Sequence, residues 1–124
     1  IPEELIFKGD YTYRKGYEGA LSLLKQDLPF TALFCGNDQS AMSAIAALSS
    51  KGLNVPNNIS VIGYDDMNIA SYTSPPLTTV RIPFNRMAIS ATRCLLNLCY
   101  DLELDINYDF PIQLIERSSV KNIG

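Results

Sequence analysis

The sequence has 124 residues, 47% hydrophobic and 19% charged, a balance that suits one globular domain and excludes a disordered chain. Ten basic residues against thirteen acidic ones give a net charge of -3, the wrong sign for a module that must itself neutralise several phosphates. No apolar run approaches the roughly 18 to 20 residues needed to cross a bilayer, which excludes a membrane-spanning helix.

The chain opens at Ile1 rather than Met, and "IPEELIFKGDY" has none of the charged, apolar and cleavage-site order of a leader, so a fragment or processed product is expected. "LIFKG" reads as a short first strand. From about Tyr13 to Gln26, Tyr17, Ala20, Leu21 and Leu24 recur at helical spacing and predict an amphipathic helix. "TALFC", Thr31 to Cys35, is apolar and of strand length, bounded by Pro29 and Gly36. Asn37 or Asp38 then caps a helix running to about Lys51, with Met42, Ile45, Ala46 and Ser49 as its face and Gly52 as its stop.

After the turn "VPNN", "ISVIGY" is nearly continuously apolar, as strands covered on both faces are. Strand, helix, strand, helix, strand with short links predicts an α/β fold with a doubly wound parallel sheet. The double proline keeps Met67 to Pro76 from being helical throughout, and "LTTVRI" is a further extended piece. A helix from Phe84 to about Asp101 carries Phe84, Met87, Ala88, Ala91, Leu95, Leu98 and Leu102 down one stripe, and "FPIQLIE" closes the chain as a strand after a polar link at Asp105 to Asp109.

In an open parallel sheet, ligands bind beyond the carboxyl ends of the strands. Three such ends carry polar or aromatic groups here: Gly9-Asp10-Tyr11, Gly36-Asn37-Asp38 and Asp65-Asp66. Any one of them could be a turn or cap, and it is their coincidence that signals a site. Catalysis is a weak reading of the Asp65-Asp66 pair. Adjacent loop residues usually point apart, and a chain without histidine has no histidine base, Ser-His-Asp triad or Cys-His pair. Asp38, Asp65 and Asp66 match no calcium or magnesium loop, and "GDYTYRKG" lacks the spacing of a phosphate loop. Cys35, Cys94 and Cys99 lie in apolar stretches and read as small buried side chains rather than zinc ligands. A binding floor fits better: a carboxylate accepts from vicinal hydroxyls, Asn37 donates and accepts, and Tyr11 offers a flat apolar face, a mixture suited to sugars and nucleosides.

"FTALFCGNDQSAMSAIAALSSKGLNVPNNISVIGYDD", then "SPPLTTVRIPFNRMAISATRCLLNL" and a final "LIERSSV", resembles the carboxyl-terminal part of the effector-binding domain of lactose-repressor-type (LacI/GalR) bacterial regulators. The resemblance runs from about Gly9 to Val120. It implies one lobe of a two-lobed type I periplasmic-binding-protein-like fold, with the chain (1-124) lacking the amino-terminal lobe and the helix-turn-helix. It further implies a cytoplasmic bacterial regulator that binds a small effector, a sugar or nucleobase compound, as a homodimer, and contacts operator DNA through an absent amino-terminal region. Cofactors, metals, membrane contact and enzymatic activity are not implied.

Carried over position by position, Tyr11 stacks on the ligand, Asn37 hydrogen-bonds it, Asp65 accepts its hydroxyls or a ring nitrogen, and Phe84 lines the cleft. Asp66 is left a structural role, bonding amides of the next loop. Met42, Ile45, Ser49 and Tyr72 are expected at the dimer interface, with core packing equally open for Met42 and Ile45. The helix in 84-104 is expected to pack on the absent lobe or a neighbouring copy, leaving the Met87, Ala91, Leu95 and Leu98 stripe otherwise exposed. A periplasmic sugar-binding protein of a transport or chemotaxis system shares the fold and is the alternative, disfavoured by the three cysteines and by Pro-Pro-Leu-Thr-Thr.

Overall fold

A computed structural model of the protein describes residues 1-122. In chain order it contains α1 (Tyr13–Leu23), β1 (Ala32–Phe34), α2 (Asp38–Ser50), β2 (Ser60–Asp65), β3 (Thr78–Arg81), α3 (Phe84–Tyr100) and β4 (Gln113–Ile115), with short 3-10 turns at Glu3–Leu5 and Asn68–Tyr72. The four strands form one sheet in the order β1-β2-β3-β4. The first three are parallel and β4 is antiparallel, which makes this a mixed α/β sheet. Leu33 lies opposite Val61, Ile62 opposite Thr78, and Asp65 opposite Arg81, so the carboxyl ends of β1, β2 and β3 gather along one edge.

The core lies between the sheet and α2, with α1 packed on α2. Leu48, Val61 and Leu77 are fully buried, each worth about 1.5 to 3 kcal/mol relative to exposure. The covered face of α2 is Ala41, Ala44, Ala47 and Leu48, not the predicted Met42, Ile45, Ala46 and Ser49. Hydrophobicity pointed to the larger side chains, but close approach of a helix to both a sheet and another helix favours alanine. Met42 and Ile45 pack at the margin of the core, and Ala46 and Ser49 are exposed. The ends of α2 match expectation. Asn37 caps it, its Oδ1 accepting the Ser40 N–H at 2.9 Å, and Gly52, with φ of 72°, follows its last turn.

The predicted first strand is absent. After the turn at Glu3–Leu5, Ile6 is extended, with φ -111° and ψ 118°, but its segment joins no sheet. Thr31 and Cys35 bond β2 through the Ser60 N–H and to the Ile62 carbonyl, each at 2.9 Å. By alternation, the backbone groups of Ala32 and Phe34 face away from β2. An apolar cavity of about 790 Å³, lined by Ile6, Phe7, Leu23, Leu33 and Phe34, separates that edge from the Ile6 segment. Extended residues with no neighbour in hydrogen-bonding range make no strand.

At the opposite end of the strands, the segment after β4 sews β2 to β3. Fully buried Ser119 donates its hydroxyl to the Val61 carbonyl at 2.6 Å and accepts the Thr78 N–H at 2.8 Å, while its carbonyl accepts the Val61 N–H at 2.8 Å. The predicted α3 forms as expected and stops at Asp101 in the left-handed region. Its only buried residue is Ser90, and Leu95 and Leu98 are 60% and 80% exposed. The apolar stripe read from the sequence faces away from this lobe's core.

Candidate functional site

The site begins where β1 and β2 end. Tyr11 has φ of 65°, and its ring lies over Gly36 so closely that a Cβ there would come within 3.0 Å of the ring. Asn37, the next residue, donates from Nδ2 to the Tyr11 carbonyl at 3.0 Å. Its Oδ1 is taken by the Ser40 N–H and by the Ser40 hydroxyl at 2.6 Å. Asn37 therefore works first as a helix cap and as a tie on the Tyr11 loop. One amide hydrogen is left over for a ligand.

Continuing the β1/β2 register by three residues brings Asn37 level with Asp65. Asp65 has φ of 109° and Asp66 has φ of 53°. Two consecutive non-glycine residues at positive φ are unusual, and each such conformation costs about 1 to 3 kcal/mol, so surrounding contacts must hold them. The two side chains have different surroundings. The Asp66 side chain is only 7% exposed and is gripped by two cations, with Oδ1 accepting Arg117 Nη2 at 2.6 Å and Oδ2 accepting Arg81 Nε at 2.6 Å. Burial pushes its pKa up, but the hydrogen bonds and charges of Arg117 and Arg81 outweigh burial and hold it below the ordinary carboxylate range.

Asp65 differs in its partners. It is half-buried, and among the described residues no hydrogen bond or ion pair reaches its carboxylate. Burial, with the neighbouring Asp38 charge second, pushes its pKa up. A half-desolvated carboxylate without a partner is a strong acceptor for ligand hydroxyl or ring N–H groups.

Sequence reasoning gave Asp66 the amides of the next loop. Those amides belong instead to Asp38, whose Oδ2 accepts the Met67 N–H at 2.7 Å, and to Thr79, whose Oγ1 accepts the Asp66 N–H at 3.3 Å. Thr79, Arg81 and Arg117 were missed as site residues because their partners lie far away in sequence, and Asp38, counted among the strand-end groups, was given no bond to the next loop. Asp38 is fully buried, Asp66 is paired, and no group of three potential metal-ligating side chains occurs among the described residues.

Phe84 opens α3 three residues beyond β3, on the same edge of the sheet, and is half-exposed. Tyr72, 82% exposed, flanks a polar depression lined also by Asp66, Asn68, Ser71, Arg81 and Arg117. Of the cysteines, Cys35 is buried, Cys94 partly so, and Cys99 exposed, which corrects the expectation that all three are interior.

The sequence model of the periplasmic binding protein-like domain matches residues 2–120. The chain is 36% identical, over 130 residues, to the HTH-type transcriptional repressor PurR of Actinobacillus pleuropneumoniae serotype 3 (strain JL03), covering all of this chain and 38% of that protein. It superimposes with a TM-score of 0.89 on a LacI-family transcriptional regulator from Burkholderia phymatum, at 39% identity, covering 98% of this chain and 45% of the other. It also superimposes with a TM-score of 0.80 on the Lac repressor dimer bound to operator and the anti-inducer ONPF, at 32% identity, covering 90% and 39%. The chain thus spans about two-fifths of the length of such relatives.

Proposed function

The chain belongs to the periplasmic binding protein-like domain family, and from that membership we propose that it is the effector-sensing lobe of a bacterial LacI-type transcriptional regulator, acting in the cytoplasm. The observation that carries the proposal is Asp65, an unpartnered, half-buried carboxylate at the carboxyl end of a parallel strand, on the sheet edge where Asn37 follows β1 and ties the Tyr11 loop. The effector is a small molecule of the sugar or nucleoside type. Asp65 accepts its hydroxyl or ring N–H groups, Asn37 donates its remaining amide hydrogen, and Tyr11 and Phe84 supply apolar faces. Each direct bond to a charged acceptor is worth about 1.5 to 3 kcal/mol.

DNA contact is made by residues outside this chain, consistent with its net charge of -3. Effector binding changes how a dimer of the intact protein holds its operator. Met42, Ile45, Ser49 and Tyr72 are assigned to the dimer contact, where Tyr72 has the exposure an interface residue needs. The exposed stripe of α3, within residues 84-104, packs on a second lobe of the same polypeptide or on a neighbouring copy, because an apolar face of that size is unfavourable in water. The lobe binds and does no chemistry of its own. That the relatives are a transcriptional repressor and a LacI-family transcriptional regulator supports a regulator over an exported transport protein.

The test is operator binding by the intact protein, followed by fluorescence anisotropy across a panel of monosaccharides, disaccharides, nucleobases and nucleosides. The proposal expects at least one panel member to shift operator affinity and to bind the protein directly. Operator affinity and calorimetric heats that stay flat across the panel contradict it.

A further inference from the structure

Asp38 is the first residue of α2 and is fully buried, yet no lysine or arginine pairs with it among the described residues. A carboxylate removed from water requires hydrogen bonds in its place. Oδ2 takes the Met67 N–H at 2.7 Å and Oδ1 takes the Thr79 hydroxyl at 2.5 Å. The same Thr79 oxygen accepts the Asp66 N–H at 3.3 Å. Both amides that follow Asp65 are therefore held by one carboxylate, one directly and one through a single hydroxyl. On β2, Gly63 makes the arrangement possible: a Cβ there would collide with Asp38 Oδ1 and lie 2.9 Å from Leu77 Cδ2.

We propose that Asp38 is a positioning residue for effector binding: through the Met67 amide and the Thr79 hydroxyl it holds the strained backbone at Asp65 and Asp66, and so keeps the Asp65 carboxylate turned outward to the ligand. The proposal rests on the reading of Asp65 as a ligand contact. Without this clamp a φ of 109° at Asp65 relaxes to a commoner conformation and the carboxylate leaves its place. The charge on Asp38 adds to the effect, since it repels that of Asp65 and favours ligand donors as the partners of Asp65. Because Asp38 also opens α2, engagement of Asp65 bears directly on the helix that carries Met42, Ile45 and Ser49.

The experiment uses the intact protein with Asp38→Asn, Thr79→Val and Thr79→Ser, each alone and combined with Asp65→Ala. Exchange of the Asp66 and Met67 amides is followed without ligand, and calorimetry uses as probe the panel sugar or nucleoside that the native protein binds. Asp38→Asn and Thr79→Val are expected to speed amide exchange and to weaken the probe about tenfold. Thr79→Ser, which keeps the hydroxyl, stays near native. In the Asp65→Ala background neither substitution costs further affinity, a non-additivity that a merely structural role does not produce. Unchanged exchange overturns the clamp whatever the affinities do. Faster exchange with native affinity, or with losses that add to that of Asp65→Ala, overturns the positioning role. Native affinity in Asp65→Ala alone removes the ligand reading while leaving the exchange result to stand. Where Asp38→Asn fails to fold, the Thr79 pair decides.

Discussion

Removing the Asp66 carboxylate measures how much the double arginine grip contributes. Asp66→Ala breaks two charge-assisted bonds of 2.6 Å, but the two arms differ in burial: the Arg117 side chain is 15% exposed and Arg81 52%. The exposed arm is worth about 0 to 1 kcal/mol after screening and side-chain entropy. On the Arg117 arm a charged hydrogen bond of about 1.5 to 3 kcal/mol is lost and a nearly buried guanidinium is left uncompensated. Arg117 keeps one bond, from Nη1 to the Leu77 carbonyl at 2.7 Å, which limits the damage. The expected loss is about 2 to 4 kcal/mol for Asp66→Ala, nearly the same for Arg117→Ala, and under about 1 kcal/mol for Arg81→Ala. Urea unfolding of the intact protein, read at the transition of this lobe, gives the three values. Equal losses for the two arginine variants, or a change within about 0.5 kcal/mol for Asp66→Ala, refute the reasoning.

Further predictions concern pH, the buried serine and the thiols. Asp66 has a depressed folded pKa, so its contribution is present above the unfolded value of about 3.9 and is lost as pH falls through the folded value. Urea midpoints should fall below about pH 4, and Asp66→Asn should flatten that fall. Asp65 behaves in the opposite sense: its folded pKa is raised, so its contribution is complete below the unfolded value and is lost as pH rises through the folded one, a decline that Asp65→Asn should abolish. Ser119→Ala leaves the buried Thr78 N–H without its acceptor and should cost about 1 to 3 kcal/mol in the same urea assay, whereas a change below about 0.5 kcal/mol counts against the seam between β2 and β3. Burial pushes the Cys35 thiol up to about 12, so a thiol reagent at neutral pH should label exposed Cys99 in the folded protein and spare Cys35 until denaturant is added.

What could be read from the sequence follows the range of the interactions concerned. The caps of α2 and the length of α3 depend on residues within a few positions of one another, and Asn37, Gly52 and the apolar stripe carried them. "LIFKG" has strand character at Ile6, but a strand is defined by a neighbour, and β1 presents its free edge across a cavity. The covered face of α2 was misread because Met42 and Ile45 are more hydrophobic than the alanines that allow close contact. The resemblance set Asp65 and Asp66 apart, and the structure pairs Asp66 alone with arginines. That pairing was hidden, since Arg81 and Arg117 lie 15 and 51 residues from Asp66 and no local pattern marks them. Asp38 looked like one more cap residue, and only its complete burial shows it as the holder of the loop.

The central claim is that Asp65, alone of the pair, faces the effector. Its most direct test is calorimetric titration of the intact protein, native, Asp65→Ala and Asp66→Asn, with the effector found by the operator assay. The account predicts a ten- to hundredfold weaker dissociation constant for Asp65→Ala, on the order of a lost charged hydrogen bond, and a near-native value for folded Asp66→Asn. Native affinity in Asp65→Ala would contradict it.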